Sequence, residues 1–191
     1  MPNNILVTGR PGSGKTTLVM RLVEGFAADG FKAGGFITEE IREGPHRVGF
    51  EVRDLGGGTA ILAHVGYKGK HRVGKYGVDV EAFERIALHA LKIGKKEADL
   101  LVVDEIGRME LFSSTFRSTL LGLLAAPVPL LATVHAGKDD FSEDVLLRDD
   151  VFVFCLSPTQ RENLLEVIDE SMRRILTDGG ISGEPEGGMG S

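Results

Sequence analysis

Residues 9–17 read Gly9-Arg10-Pro11-Gly12-Ser13-Gly14-Lys15-Thr16-Thr17, and these types at this spacing can hold the phosphates of a nucleotide. Glycines let backbone N–H groups turn inward around phosphate oxygens, a lysine at position 15 reaches the β and γ phosphates, and the hydroxyl of Thr16 ligates Mg²⁺. Arg10, Pro11, Ser13 and Thr17 complete the nucleotide-binding stretch, and a helix starting at Gly14 adds its positive end. In a chain with 26 glycines, an accidental match to this pattern has odds of roughly a few per hundred at average residue usage. The apolar run Ile5-Leu6-Val7 before it and an amphipathic stretch after it lower those odds further.

Such a loop needs a second, acidic strand, and Leu100-Leu101-Val102-Val103-Asp104-Glu105 supplies one. Asp104 is the candidate metal residue, directly or through water. Glu105 is the candidate that orients and polarises a water in line with the γ-phosphoryl group, which hydrolysis requires. Alone, two acids at a strand end would only open a solvated loop; the phosphate loop makes the chemical reading the better one. Arg108 has two readings, a charge-stabilising contact to the γ-phosphate or a surface pair with Glu110. His135, at the end of an apolar strand, either senses the γ-phosphate or is bonded to backbone. Lys68, Lys70, His71, Arg72 and Lys75 form a basic run read first as a solvated loop and second as a phosphate clamp or partner site.

These residues must be carried by something, and apolar runs alternate with segments of helical period, as in an α/β protein with helices crossing over a sheet. Strands are predicted at Ile5 to Thr8, Lys32 to Thr38, Arg47 to Asp54, Thr59 to Leu62, Leu100 to Val103, Val128 to Val134 and Val151 to Leu156. Helices are predicted from Lys15 towards Gly30, over Glu81 to Lys95, Phe112 to Leu124 and Thr159 to Leu176. Turns fall at Gly44-Pro45 and Gly56-Gly57-Gly58. The three short neighbouring strands predict an antiparallel hairpin region inserted beside a largely parallel central sheet, the whole forming a three-layer sandwich. Cys155 reads as a small core residue of its strand. Residues 1–177 are expected to form one domain and residues 178–191, mostly Gly, Ser, Pro and Glu, a disordered tail.

Composition bounds the function classes. A chain of 191 residues, 42% hydrophobic, builds one α/β core. A net charge of −6 argues against nucleic acid or anionic membrane as the bulk partner. A lone cysteine forms no intrachain disulfide, Met-Pro-Asn-Asn lacks the regions of a signal peptide, and no apolar run approaches the roughly 18 residues of a membrane span. The expectation is a cytoplasmic protein.

Three segments together resemble the cancer-related nucleoside-triphosphatase family of small P-loop proteins: Gly9 to Thr17, the block Val103-Asp104-Glu105-Ile106-Gly107-Arg108-Met109-Glu110-Leu111, and Arg161-Glu162-Asn163. The resemblance spans about residues 4–176 and includes Gly35 to Arg42 and Arg47 to Phe50. It implies the P-loop NTPase fold and slow, Mg²⁺-dependent hydrolysis of ATP, GTP and other nucleoside triphosphates with broad base tolerance. It also implies that Arg161 lies against the base, where a guanidinium reads the ring face and not its edge. Arg108 stands where the family usually has lysine, and Gln160-Arg161 where it tends toward Asn-Arg. Two alternatives stay open, a nucleoside or nucleotide kinase and a nucleotide-dependent switch acting on a protein partner. A kinase would place an arginine-rich lid after Val134, yet the segment 136–150 is rich in acids.

Overall fold

In the computed structural model, residues 2–137 and 139–179 are described. Along the chain run β1 (Asn4–Gly9), α1 (Lys15–Ala28), β2 (Ala33–Glu43), β3 (His46–Asp54), β4 (Thr59–His64), β5 (His71–Val73), β6 (Tyr76–Val78) and α2 (Val80–Glu97). They are followed by β7 (Leu100–Ile106), a 3-10 turn (Glu110–Phe112), α3 (Ser114–Leu124), β8 (Leu130–His135), α4 (Asp140–Leu146), β9 (Val151–Leu156) and α5 (Arg161–Gly179). Among the described residues the strands form one nine-stranded sheet in the order β5-β6-β4-β3-β2-β7-β8-β1-β9. Strands β2, β7, β8, β1 and β9 are parallel neighbours, while β3, β4, β5 and β6 extend the sheet antiparallel beyond β2.

Alternation along the strands builds the layers. Leu6, Leu101, Val103 and Phe36 join Phe83 and Leu91 of α2 and Phe116 and Leu120 of α3 on one face. Ile5, Val7, Leu100 and Val102 join Leu18, Leu22 and Phe26 of α1 and Ile168 and Met172 of α5 on the other. The result is the expected three-layer α/β sandwich. Helix α2 presses onto β2 through two glycines: a Cβ on Gly34 would lie 2.7 Å from the Gly94 Cα.

Several expectations change in detail. The acidic strand extends to Ile106 and carries Asp104 and Glu105 within it; the peptide between them is cis. The basic run at 68–75 is not one loop: its second half enters the hairpin β5–β6, turned at Gly74 and anchored by Tyr76, which is 8% exposed. A helix, α4, occupies part of the segment after β8, capped by Asp139, whose side chain accepts from the Ser142 amide. Helix α3 begins at Ser114 behind the Ser113 cap, and α5 begins at Arg161 after a 3-10 turn at 158–160. Cys155 is exposed, since β9 is the edge strand and its neighbour is β1. Asp178, placed by expectation in the tail, belongs to α5; residues 180–191 of that expected tail lie outside the described residues.

Candidate functional site

The phosphate loop joins the buried strand β1 to α1. Gly12 and Gly14 have φ of 75° and 94°, the left-handed region that only glycine adopts cheaply. The Ser13 amide donates to Arg10 O at 3.1 Å, which closes the turn. Helix α1 has no side-chain cap at Gly14 and no acid in its first turn, so its leading N–H groups and positive end face the loop. Arg10, Pro11, Gly12 and Thr17 are exposed, whereas Ser13 is 4% exposed and its Oγ has no hydrogen-bond partner among the described residues. Lys15 is 8% exposed; its Nζ donates to Gly9 O at 3.2 Å and stands 3.5 Å from Glu105 Oε2.

The end of β7 meets this loop. Asp104 is 1% exposed and accepts from Thr16 Oγ1 at 2.7 Å and, through its other oxygen, from Thr133 Oγ1. Burial pushes its carboxyl up to about 6, against the opposing effect of the two hydroxyls and Lys15. Glu105 remains about a third exposed, its side chain turned to the Lys15 ammonium. Beyond it, Glu110 is 4% exposed, and burial, followed by the charge of Glu105, pushes its carboxyl up to about 8. Gly107 separates these two acids: a Cβ there would lie 2.7 Å from Glu110 Oε2 and 3.1 Å from Glu105 Oε1. A side chain there would have to push one of the two carboxylates aside.

Arg108, His135 and Arg161 flank this centre. Arg108 is exposed and makes no ion pair with Glu110 among the described residues. Its guanidinium lies across the loop after β8, where a Cβ on Gly137 would be 3.2 Å from Nη2. His135 has both ring nitrogens engaged: Nδ1 accepts from the Gly137 amide at 3.0 Å, so Nε2 carries the proton it presents to Asp139 Oδ2 at 2.6 Å. That is the backbone-bonded arrangement. Arg161 donates through Nη2 to Ser13 O at 2.8 Å, and a Cβ on Gly14 would meet the guanidinium at 2.7 Å. The side chain therefore lies against the backbone of the phosphate loop.

Thr133 and Glu110 belong to this constellation and escaped the sequence reading. Thr133 is the polar residue in the apolar strand Leu130-Leu131-Ala132-Thr133-Val134, a signal present in the spacing. In the sequence Glu110 reads as a surface partner for Arg108 or as one member of the block from Val103 to Leu111, and nothing there marks it as buried. A cleft of about 730 Å³, lined by Asn3, Phe31, Asp99 and Pro129 among others, opens at the opposite ends of the strands and holds none of these residues.

A hard cation finds a fitting donor set here. Thr16 Oγ1 and Asp104 Oδ2 already share a hydrogen bond, and the buried carboxylate is held in an unfavourable charge state that a cation would relieve. Among the described residues no three acidic, histidine or cysteine side chains converge on a metal. A cation at this place would complete its shell with phosphate oxygens and water, which is the habit of Mg²⁺.

A family model described as NTPase matches residues 4–169. The chain is 42% identical over 164 residues to the nucleoside-triphosphatase THEP1 of Thermotoga maritima, covering 86% of this chain and 92% of that one. The crystal structure of THEP1 from Aquifex aeolicus superposes with a TM-score of 0.81 at 34% identity, covering 90% of this chain and 99% of the other. The solution structure of a human cancer-related nucleoside triphosphatase gives 0.77 at 36%, covering 90% and 98%.

Proposed function

The chain belongs to the NTPase family and hydrolyses nucleoside triphosphates; we propose that it does so with Mg²⁺, to diphosphate and phosphate, slowly and with broad base tolerance. The observation that carries the reading is the junction of β7 with the phosphate loop, where Glu105 stands 3.5 Å from Lys15 beside the Thr16–Asp104 bond. Lys15 and the amides at 9–17 hold the β and γ phosphates. Thr16 and Asp104 hold the cation, which when bound offsets phosphate charge. Glu105, outside the buried pair and open to solvent, orients a water in line with the terminal phosphate and takes its proton. Arg108 swings from the Gly137 loop to the developing charge. His135 fixes that loop through Gly137 and Asp139, and Arg161 braces the phosphate loop through Ser13 O.

Base tolerance is what an Arg161 tied to Ser13 O would give if it meets the base through its flat guanidinium face and leaves the base's edge unread. The segment expected to carry a kinase-type arginine lid instead carries α4, with Asp140 and Glu143 in its first turn. No helix among the described residues is long and apolar enough to cross a membrane, and we place the protein in the cytoplasm. The test is phosphate release from ATP, GTP, CTP and UTP with and without Mg²⁺, alongside Lys15→Ala. Release from all four that needs Mg²⁺ and is lost in the variant is expected. Turnover unchanged in Lys15→Ala would remove the loop from the reaction.

A further inference from the structure

A second cleft, of about 540 Å³, opens at the same end of the sheet as the phosphate loop, between the β5–β6 hairpin, the turn after β7, α3 and α4. Arg72, Arg108 and Arg117 reach it from three separate elements, and Phe112 and Phe141 contribute to its apolar wall. The hairpin is held over it by His71, whose ring lies 4.5 Å from that of Phe112. Its size is that of a pocket for a small organic ligand.

The charge of this cleft is net positive, although the chain as a whole carries −6. Elsewhere arginines such as Arg21, Arg53, Arg148 and Arg173 are paired with carboxylates. Arg108 and Arg117 take part in no ion pair among the described residues, and Arg72 is bonded to the Lys75 carbonyl at 3.0 Å, which aims it without neutralising it. Two acids stand at the rim: Asp139, which accepts from the Ser142 amide and from His135 and keeps its charge, and Asp140. Three guanidinium forks against two carboxylates leave the cleft net positive, and with two phenylalanine rings beside them they match a phosphate carried on a flat or apolar body.

We propose that this cleft binds a small phosphomonoester, of which a nucleoside monophosphate is the simplest example, as a second ligand next to the triphosphate. Its position beside the terminal phosphate rests on the assignment of Lys15 and Glu105 above; its chemistry does not. Arg108, at the boundary, faces both.

The experiment is a calorimetric titration of the full chain, saturated with a non-hydrolysable nucleoside triphosphate and Mg²⁺, with nucleoside monophosphates and separately with inorganic phosphate. One further monophosphate should bind, more tightly than inorganic phosphate because the aromatic wall adds to the clamp. Arg117→Ala and Arg72→Ala, both exposed positions, should each weaken it by about tenfold or more, the scale of a lost charge-assisted hydrogen bond. Triphosphate affinity and basal hydrolysis should stay unchanged in both. Absence of monophosphate binding, equal affinity in the variants, tighter binding of inorganic phosphate, or loss of triphosphate binding in the variants would each overturn the second site. Should the unmodified chain fail to bind the triphosphate, the nucleotide assignment falls instead, and the same titration of the free protein decides the cleft.

Discussion

Asp104 illustrates how much of the chemistry is set by single contacts. A carboxylate 1% exposed is costly to keep charged, and the two threonine hydroxyls that donate to it favour its charged form, the form the proposed cation needs. Thr133→Val removes one of those donors while preserving shape. The Mg²⁺ concentration for half-maximal hydrolysis should then rise by about tenfold or more, the usual consequence of losing a ligand's orienting partner; an unchanged Mg²⁺ dependence would show that Thr133 does not orient the metal residue. Glu110 makes a different prediction, about stability. Its carboxyl is raised from an ordinary 4.5 to about 8 by burial and by Glu105, so the folded state keeps a proton that the unfolded chain gives up. That contribution is complete below about 4.5 and is lost as pH climbs through 8. The melting temperature should therefore fall between pH 6 and 9, and Glu110→Gln should flatten the fall. Parallel pH profiles for the two proteins would show that Glu110 is not the titrating group.

At the scale of elements, what was legible in the sequence followed the strength of the local pattern. The β1–loop–α1 unit and the Leu100-to-Glu105 strand announce themselves through apolar runs beside unmistakable polar residues. Strands β5 and β6 have three residues each, too short for any period to register, and five of the charged or polar residues around them read as loop. Helix α4, with seven residues, hides among acids that look like solvated surface until Asp139 is seen capping it. The role of His135 was open between two readings because ring-nitrogen partners are tertiary facts. Asn4 gave no signal at all, yet it is fully buried at the start of β1, donating to Leu124 O at 2.9 Å and Asp150 O at 3.1 Å and accepting from the Leu130 amide. It ties β1 to the entrances of β8 and β9. Asn4→Ala should cost about 2–3 kcal/mol in chemical denaturation, since it strands buried backbone groups; a loss below about half a kcal/mol would mean that water replaces it.

For the whole molecule, the decisive feature is the strand order. Strand β8 lies between the loop-bearing β1 and the acid-bearing β7, so Thr133 and His135 sit on the strand between the strand that carries the loop and the strand that carries the acids, an arrangement that no spacing along the chain encodes. The parallel core collects the phosphate loop, both acids and the loop after β8 at one end, and leaves the larger cleft at the other. The antiparallel extension returns through β5–β6 to overhang the same active end, which gives the basic run a place beside the centre instead of on a remote surface. The central claim is that Glu105 directs water to a phosphate held by the loop. Single-turnover diphosphate formation from ATP in Glu105→Gln, with nucleotide binding followed in parallel, tests it most directly. The account predicts binding as in the unmodified chain and hydrolysis slower by about a hundredfold or more, the scale of a lost general base. Hydrolysis at the original rate, or binding lost together with activity, would contradict it.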